Sequence, residues 1–138
     1  NIFTVFSKIP EDLTEKAEKL LEFVGLYQKR KLRAGDLSFG QQKLLELAMG
    51  LMYEPKMLLL DEPTAGINPT LINGIIDRLI KVNEEFGITL LVIEHNMRVI
   101  MNLAQKIFCL AHGQMLAEGT PDQIKNNQHV VDAYLGAK

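Results

Sequence analysis

The sequence predicts an α/β fold with a parallel sheet core and flanking helices, and three observations carry that prediction. Met57-Leu58-Leu59-Leu60 is an unbroken apolar run that ends in Asp61-Glu62-Pro63. Such a short, continuous run suits a strand buried on both faces of a parallel sheet. Ile88 to Ile93 is a second apolar run, rich in β-branched residues, and it ends in Glu94-His95. Between the two, Leu71, Ile72, Ile75, Ile76, Leu79 and Ile80 recur with helical spacing. Strand, helix and strand in succession form a right-handed βαβ unit with parallel strands.

The remaining elements follow from start and stop residues. Ala17, Leu20, Leu21 and Val24 form an i, i+3, i+4, i+7 stripe between Pro10 and Gly25, which predicts an amphipathic helix over 11–24. Lys29-Arg30-Lys31-Leu32-Arg33 is a short basic run, expected as a solvated loop. Ser38 with Gln41 three residues on is a capping box. Its helix runs to about Met52, with Leu44, Leu45, Ala48, Leu51 and Met52 on the buried side, until Glu54-Pro55 stops it. Thr64 to Pro69 is turn chemistry, in which Asn68 caps and Pro69 takes the first position of the next helix. That helix is closed by Gly87. Asn96 caps a short helix through Ala104, and His112-Gly113 signals a hairpin between apolar stretches at 107–111 and 114–117. Thr120-Pro121-Asp122-Gln123 is a second capping box, followed by two short helices to Leu135, with Gly136 as a C-cap.

Composition bounds the function. Of 138 residues, 47% are hydrophobic and 23% charged, which is enough for one domain with one core. A net charge of −2 argues against nucleic acid as a partner held by phosphate neutralisation. No apolar stretch reaches the roughly 20 residues a spanning helix needs. Asn1 to Phe6 has neither a basic region nor a small-residue cleavage site, so no signal peptide is expected. Cys109 is the single cysteine and lies in an apolar run, as a core filler does. The absence of an initiator methionine suggests a fragment.

The chemistry concentrates at strand ends. Asp61 and Glu62 stand where open α/β sheets place their ligands, and parallel strands would deliver His95 to the same rim. Pro63 lacks an N–H, so the ladder must end there. A helix N-terminus beside a hydroxyl and a glycine, at Ser38-Phe39-Gly40, offers N–H groups to an anion. Glu94-His95 is not a zinc motif, since no second ligand lies one helical turn away, and His112 and His129 fall in turn or surface contexts and are assigned no role.

These motifs together resemble a known family. Leu37-Ser38-Phe39-Gly40-Gln41 is similar to the signature of ABC ATPases, with Phe39 where the first glycine usually stands. Leu58-Leu59-Leu60-Asp61-Glu62-Pro63 resembles the Walker B strand, Ala65 to Pro69 the D-loop and His95 the switch histidine. Ser38 to Gln42, Ala65 to Pro69, Ile93 to Met97 and Ala133 to Gly136 resemble the ATP-binding subunits of branched-chain amino-acid importers. No Gly-x-x-x-x-Gly-Lys-[Ser/Thr] loop occurs, so the sequence looks like the C-terminal part of a P-loop NTPase domain. The resemblance divides it into the end of a helical subdomain, 1–54, and part of a RecA-like core, 55–138.

The resemblance implies ATP and Mg²⁺ as cofactors. It implies that Ser38 and the Gly40 N–H donate to the γ-phosphate held on an opposite chain, beside Phe39, while Gln41 holds the turn. Asp61 would orient the Mg²⁺ through water, Glu62 would act as general base, and His95 would contact the γ-phosphate and link it to that base. Asn68 would cross an interface to a second ATP-binding subunit, in a head-to-tail dimer seated on membrane-embedded permease subunits. The expected location is cytoplasmic, peripheral on the inner face of the membrane. Two alternatives stay open: an ATPase head serving DNA repair or chromosome structure, and a catalytically inert dimerisation or partner-binding fragment. Without Walker A the chain alone is expected to hydrolyse nothing, and to expose apolar surface through which it self-associates.

Overall fold

The computed structural model describes residues 10–134, so Asn1 to Phe6, Leu135 and the expected cap at Gly136 lie outside the described residues. The chain packs as two compact units, 1–92 and 93–138.

In the first unit, α1 spans Glu11–Phe23 and places Leu20 in the core. It ends in a Schellman motif: Gly25, at φ 75°, donates its N–H to Glu22 O, and Leu26 donates to Leu21 O. Two single 3₁₀ turns, Tyr27–Lys29 and Ala34–Asp36, lead to α2, Phe39–Leu51. The basic run between them is exposed, with Arg30 stacked over Tyr27 and paired with Glu18. α2 buries Leu47, Ala48 and Leu51 and packs on α1. Lys16 of α1 secures the end of α2 by donating to Met52 O at 2.8 Å and to Glu54 Oε1 at 2.6 Å.

The predicted βαβ unit is present. Strand β1 covers Met57–Asp61, α3 covers Pro69–Phe86 and β2 covers Thr89–Ile93. Thr89 N–H at the head of β2 bonds to Lys56 O just before β1, so the two strands start side by side and run parallel. α3 buries Ile72, Ile75, Ile76, Leu79 and Val82 against this unit, and Gly87 at φ 67° closes it. The ends of α1 and α3 meet through Phe23 and Phe86, edge to face at 5.0 Å.

Three expectations about burial are corrected. β1 is not covered on both faces: its residues alternate between partly buried and exposed, with Met57 at 50% and Leu59 at 71% exposure. Leu58 approaches α2 at Gly50, whereas Leu59 stays largely exposed. In α2, Leu44, Leu45 and Met52 are only partly buried, and Leu47 takes a place in the core that the periodicity assigned to them. In α3, Leu71 is exposed and Ile80 partly so, while Val82 is fully buried.

In the second unit, α4 is Met97–Leu103, and a hairpin follows. Its strands β3, Ile107–Ala111, and β4, Gln114–Gly119, pair antiparallel with a bulge after Cys109. His112 and Gly113 both have positive φ, 51° and 76°, the pattern of a type I′ turn. α5, Pro121–Lys125, starts on the predicted capping box of Thr120 and Gln123. α6, Gln128–Tyr134, completes a core of Ile107, Cys109, Ile124 and Val130. Cys109 is buried, and burial raises its thiol pKa, as expected of a core filler.

Candidate functional site

The head of α2 is built by its own sequence. Ser38 stands at the N-cap with extended backbone, and its Oγ accepts the Gln41 N–H at 3.4 Å. Gln41 Oε1 accepts the Ser38 N–H at 3.1 Å, which closes the box. Gln42 binds the approach to the helix, because its Nε2 donates to both Ala34 O and Leu37 O at 3.2 Å. With Gln41 N–H capped, helix geometry points the N–H groups of Phe39 and Gly40 out of the helix end. A serine hydroxyl that accepts one N–H retains its own O–H as a donor. The arrangement suits an anion, with backbone donors and the positive end of the helix dipole together. Phe39 takes the first helical position and is not among the residues with positive φ, so a side chain costs nothing to the backbone there.

Asp61 ends β1 and is exposed, as is Glu62. Glu62 has φ 46°, a left-handed conformation that a side chain disfavours. From it the chain makes two turns in series: Ala65 N–H bonds to Glu62 O, and Ile67 N–H to Thr64 O. In the second, positive φ falls only at Gly66, 70°, as a type II turn requires at its third residue. Asn68 then caps α3, with Oδ1 accepting from Thr70 N–H at 3.0 Å and from Thr70 Oγ at 2.9 Å.

These two motifs meet within the first unit. A Cβ on Gly40 would touch Leu71 and Ile67, and one on Gly66 would lie 3.2 Å from Phe39 Cε1. Phe39 and Gly40 of the helix head therefore adjoin the turn that begins at Asp61 and Glu62 and ends at Asn68. Between α2, β1 and α3 a cavity of about 210 Å³ is lined largely by leucine and isoleucine, with Asp61 and Lys43 among its walls. His95 belongs to the second unit. It is exposed in the loop between β2 and α4, which is held by Asn96 N–H donating to Glu94 Oε2 at 3.4 Å and by Asn96 Oδ1 capping Arg98.

The donor set sets limits on a cation. Among the described residues no three His, Cys, Asp or Glu side chains gather into a metal site. One carboxylate such as Asp61 fits Mg²⁺ only as that ion is usually held, through water and together with phosphate oxygens. Sequence reasoning missed the Phe39–Gly66 contact and the strain at Glu62. The glycine four residues after the carboxylate pair was the one available hint of a left-handed turn.

Residues 2–65 match the ABC transporter family, and residues 114–138 match the family described as branched-chain amino acid ATP-binding cassette transporter. In structure the chain is similar to an ATP-binding cassette of an ABC transporter at 35% identity and a TM-score of 0.84, covering 94% of this chain and 52% of that one. The ADP conformation of such a cassette aligns at 36% identity and 0.82, covering 97% and 55%. The chain is thus similar, over about half their length, to the ATP-binding domains of ABC transporters, in α/β fold and in motif order.

Several similar curated proteins are named for one kind of transport. It is 38% identical over 131 residues to a probable branched-chain amino acid transport ATP-binding protein, LivG, of Archaeoglobus fulgidus. It is 39% identical to the high-affinity branched-chain amino acid transport ATP-binding protein BraF of Pseudomonas aeruginosa, and 35% identical to LivG of Escherichia coli. Each alignment covers 95% of this chain and 51% of the relative, so the chain spans about half the length of the curated relatives it matches.

Proposed function

We propose that this chain is the signature-to-switch portion of the ATP-binding subunit of an importer for branched-chain amino acids. In this reading residues 1–54 end a helical subdomain and 55–138 belong to a RecA-like ATPase core. One observation carries the proposal: the capped helix head at Ser38–Gln41 lies against the turn that starts at Asp61 and Glu62, in a chain whose relatives are named as branched-chain amino acid transport ATP-binding proteins.

When bound, Mg-ATP supplies the anhydride bond whose hydrolysis powers transport. The chain's own residues divide the work. Ser38 Oγ–H and the Phe39 and Gly40 N–H groups donate to a terminal phosphate presented by a second, head-to-tail ATP-binding subunit. Gln41 keeps Ser38 in place. Asp61 would hold a hydrated cation through one of its waters, and Glu62 would take a proton from the attacking water. His95 donates an N–H to a phosphate oxygen, and Asn68 faces the second subunit. Permease subunits in the membrane hold the assembly at the cytoplasmic face. Among the described residues no helix is long and apolar enough to cross a membrane.

Binding of Mg-ATP, measured by calorimetry on the 138-residue chain alone and after adding a polypeptide that carries the Walker A half, tests the proposal. The expected result is no binding and no turnover alone, with both restored on addition and turnover abolished by Glu62→Gln. Tight binding by the chain alone would place the phosphate site elsewhere and overturn these roles.

A further inference from the structure

The side chain of Phe39 has no role in the reading above, which uses only its backbone N–H. We propose that Phe39 is a positioning residue whose ring braces the turn from Glu62 to Asn68 through Gly66, so that the head of α2 and the candidate base move together. The inference rests on that functional reading for its consequence, but the brace itself stands on geometry.

Phe39 Cε1 lies where the Cβ of any other residue at 66 would be only 3.2 Å away, and Cδ1 and Cζ lie within 3.9 Å of the same point. The ring therefore lies along the Cα of Gly66, on the side that a side chain would fill. Gly66 is the left-handed residue of the second turn, and that turn follows directly on the one closed by Glu62 O. The hydrogen bonds Ala65 N–H to Glu62 O and Ile67 N–H to Thr64 O make 62–67 a short chain of rigid links. Gly40, the next residue of α2, has Leu71 and Ile67 within 3.8 Å of the point where a Cβ would stand. Lys43, one turn along α2, holds its Nζ 5.7 Å from the Phe39 ring centroid, within the range of a cation–π contact. The ring is thus gripped from its own helix and applied to the turn. Anything that shifts the helix head transmits through it to the backbone of Glu62.

Amide hydrogen exchange on the 138-residue chain reads the brace without any nucleotide. Phe39→Ala should speed exchange at the Ile67 amide about tenfold or more, leave Gly25 and Leu26 unchanged, and be rescued by Phe39→Tyr. Unchanged exchange at Ile67, or faster exchange throughout, would overturn the brace. A second test pairs Phe39→Ala with Gly66→Ala in urea unfolding. The double variant should be more stable than the sum of the singles predicts, because the clash vanishes with the ring; strict additivity would refute it. In the assembly completed with the Walker A half, Phe39→Ala should lower kcat while the KM for ATP stays within about twofold. A raised KM with kcat intact would make Phe39 a nucleotide contact instead. Intact exchange effects without any ATP binding would leave the brace standing and sink only the functional reading.

Discussion

Glu62 offers the sharpest test of the link between strain and chemistry. Among the described residues, three that are not glycine have positive φ: Glu54, Glu62 and His112. His112 is accounted for by its type I′ turn, and Glu54 lies before Pro55 under the grip of Lys16. Glu62 stands at the candidate base position, and strained conformations of this kind persist where function holds them. A side chain in the left-handed region costs roughly 1–2 kcal/mol. Glycine elsewhere in a chain is less stable than alanine by about 0.5–1 kcal/mol. The difference predicts that Glu62→Gly is more stable than Glu62→Ala by about 0.5–1 kcal/mol, the reverse of the ordinary order. With a urea slope of about 1–3 kcal/mol per molar, that is a midpoint difference of roughly 0.2–1 M. Comparing the two variants with each other cancels the loss of the carboxylate and its interactions. Urea unfolding followed by circular dichroism measures it, and ATP turnover in the completed assembly should be lost in both. Equal midpoints, or alanine the more stable, would refute the strain; turnover retained in either would refute Glu62 as the base.

Three further outcomes follow from the packing. Gly25→Ala should destabilise the chain by about 1–3 kcal/mol, since φ is 75° and the new Cβ would lie 2.9 Å from Arg78 Nη2; a midpoint unchanged in urea would contradict this. Lys16 holds the Glu54 pKa below the ordinary glutamate value, chiefly by its hydrogen bond and then by its charge. A carboxylate with a lowered folded pKa contributes stability that is present above the unfolded pKa and lost as pH falls through the folded one. Stability should therefore decline in that acidic window, and Lys16→Met should flatten the decline; an unaltered pH profile would exclude the pair as its source. The face of β1 that carries Met57 and Leu59 should drive self-association, and Leu59→Lys should shift sedimentation toward monomer. A wild-type chain that sediments as monomer at high concentration would sink that expectation.

The local elements were legible because their signals are local. A capping box needs only Ser38 and Gln41, or Thr120 and Gln123, three residues apart, and both boxes form. The hairpin at His112-Gly113, the βαβ order and the ends of α1 and α3 were likewise written in glycine, proline and apolar period. The caps and turns among these features depend on hydrogen bonds within one turn of chain, so a short stretch of sequence contains both partners. Burial was legible only in part. Leu58 and Leu59 are chemically the same, yet one is partly buried under α2 and the other is 71% exposed. Which leucine is covered depends on what packs across the strand, and that partner is distant in sequence. The same reason hid Leu47 and Val82, the ring of Phe39 against Gly66, and the left-handed backbone of Glu62. The sequence by itself determined which residues carry donors, carboxylates and turns; only the tertiary structure decided which of them touch, because contact is a property of two segments and of the space left between them.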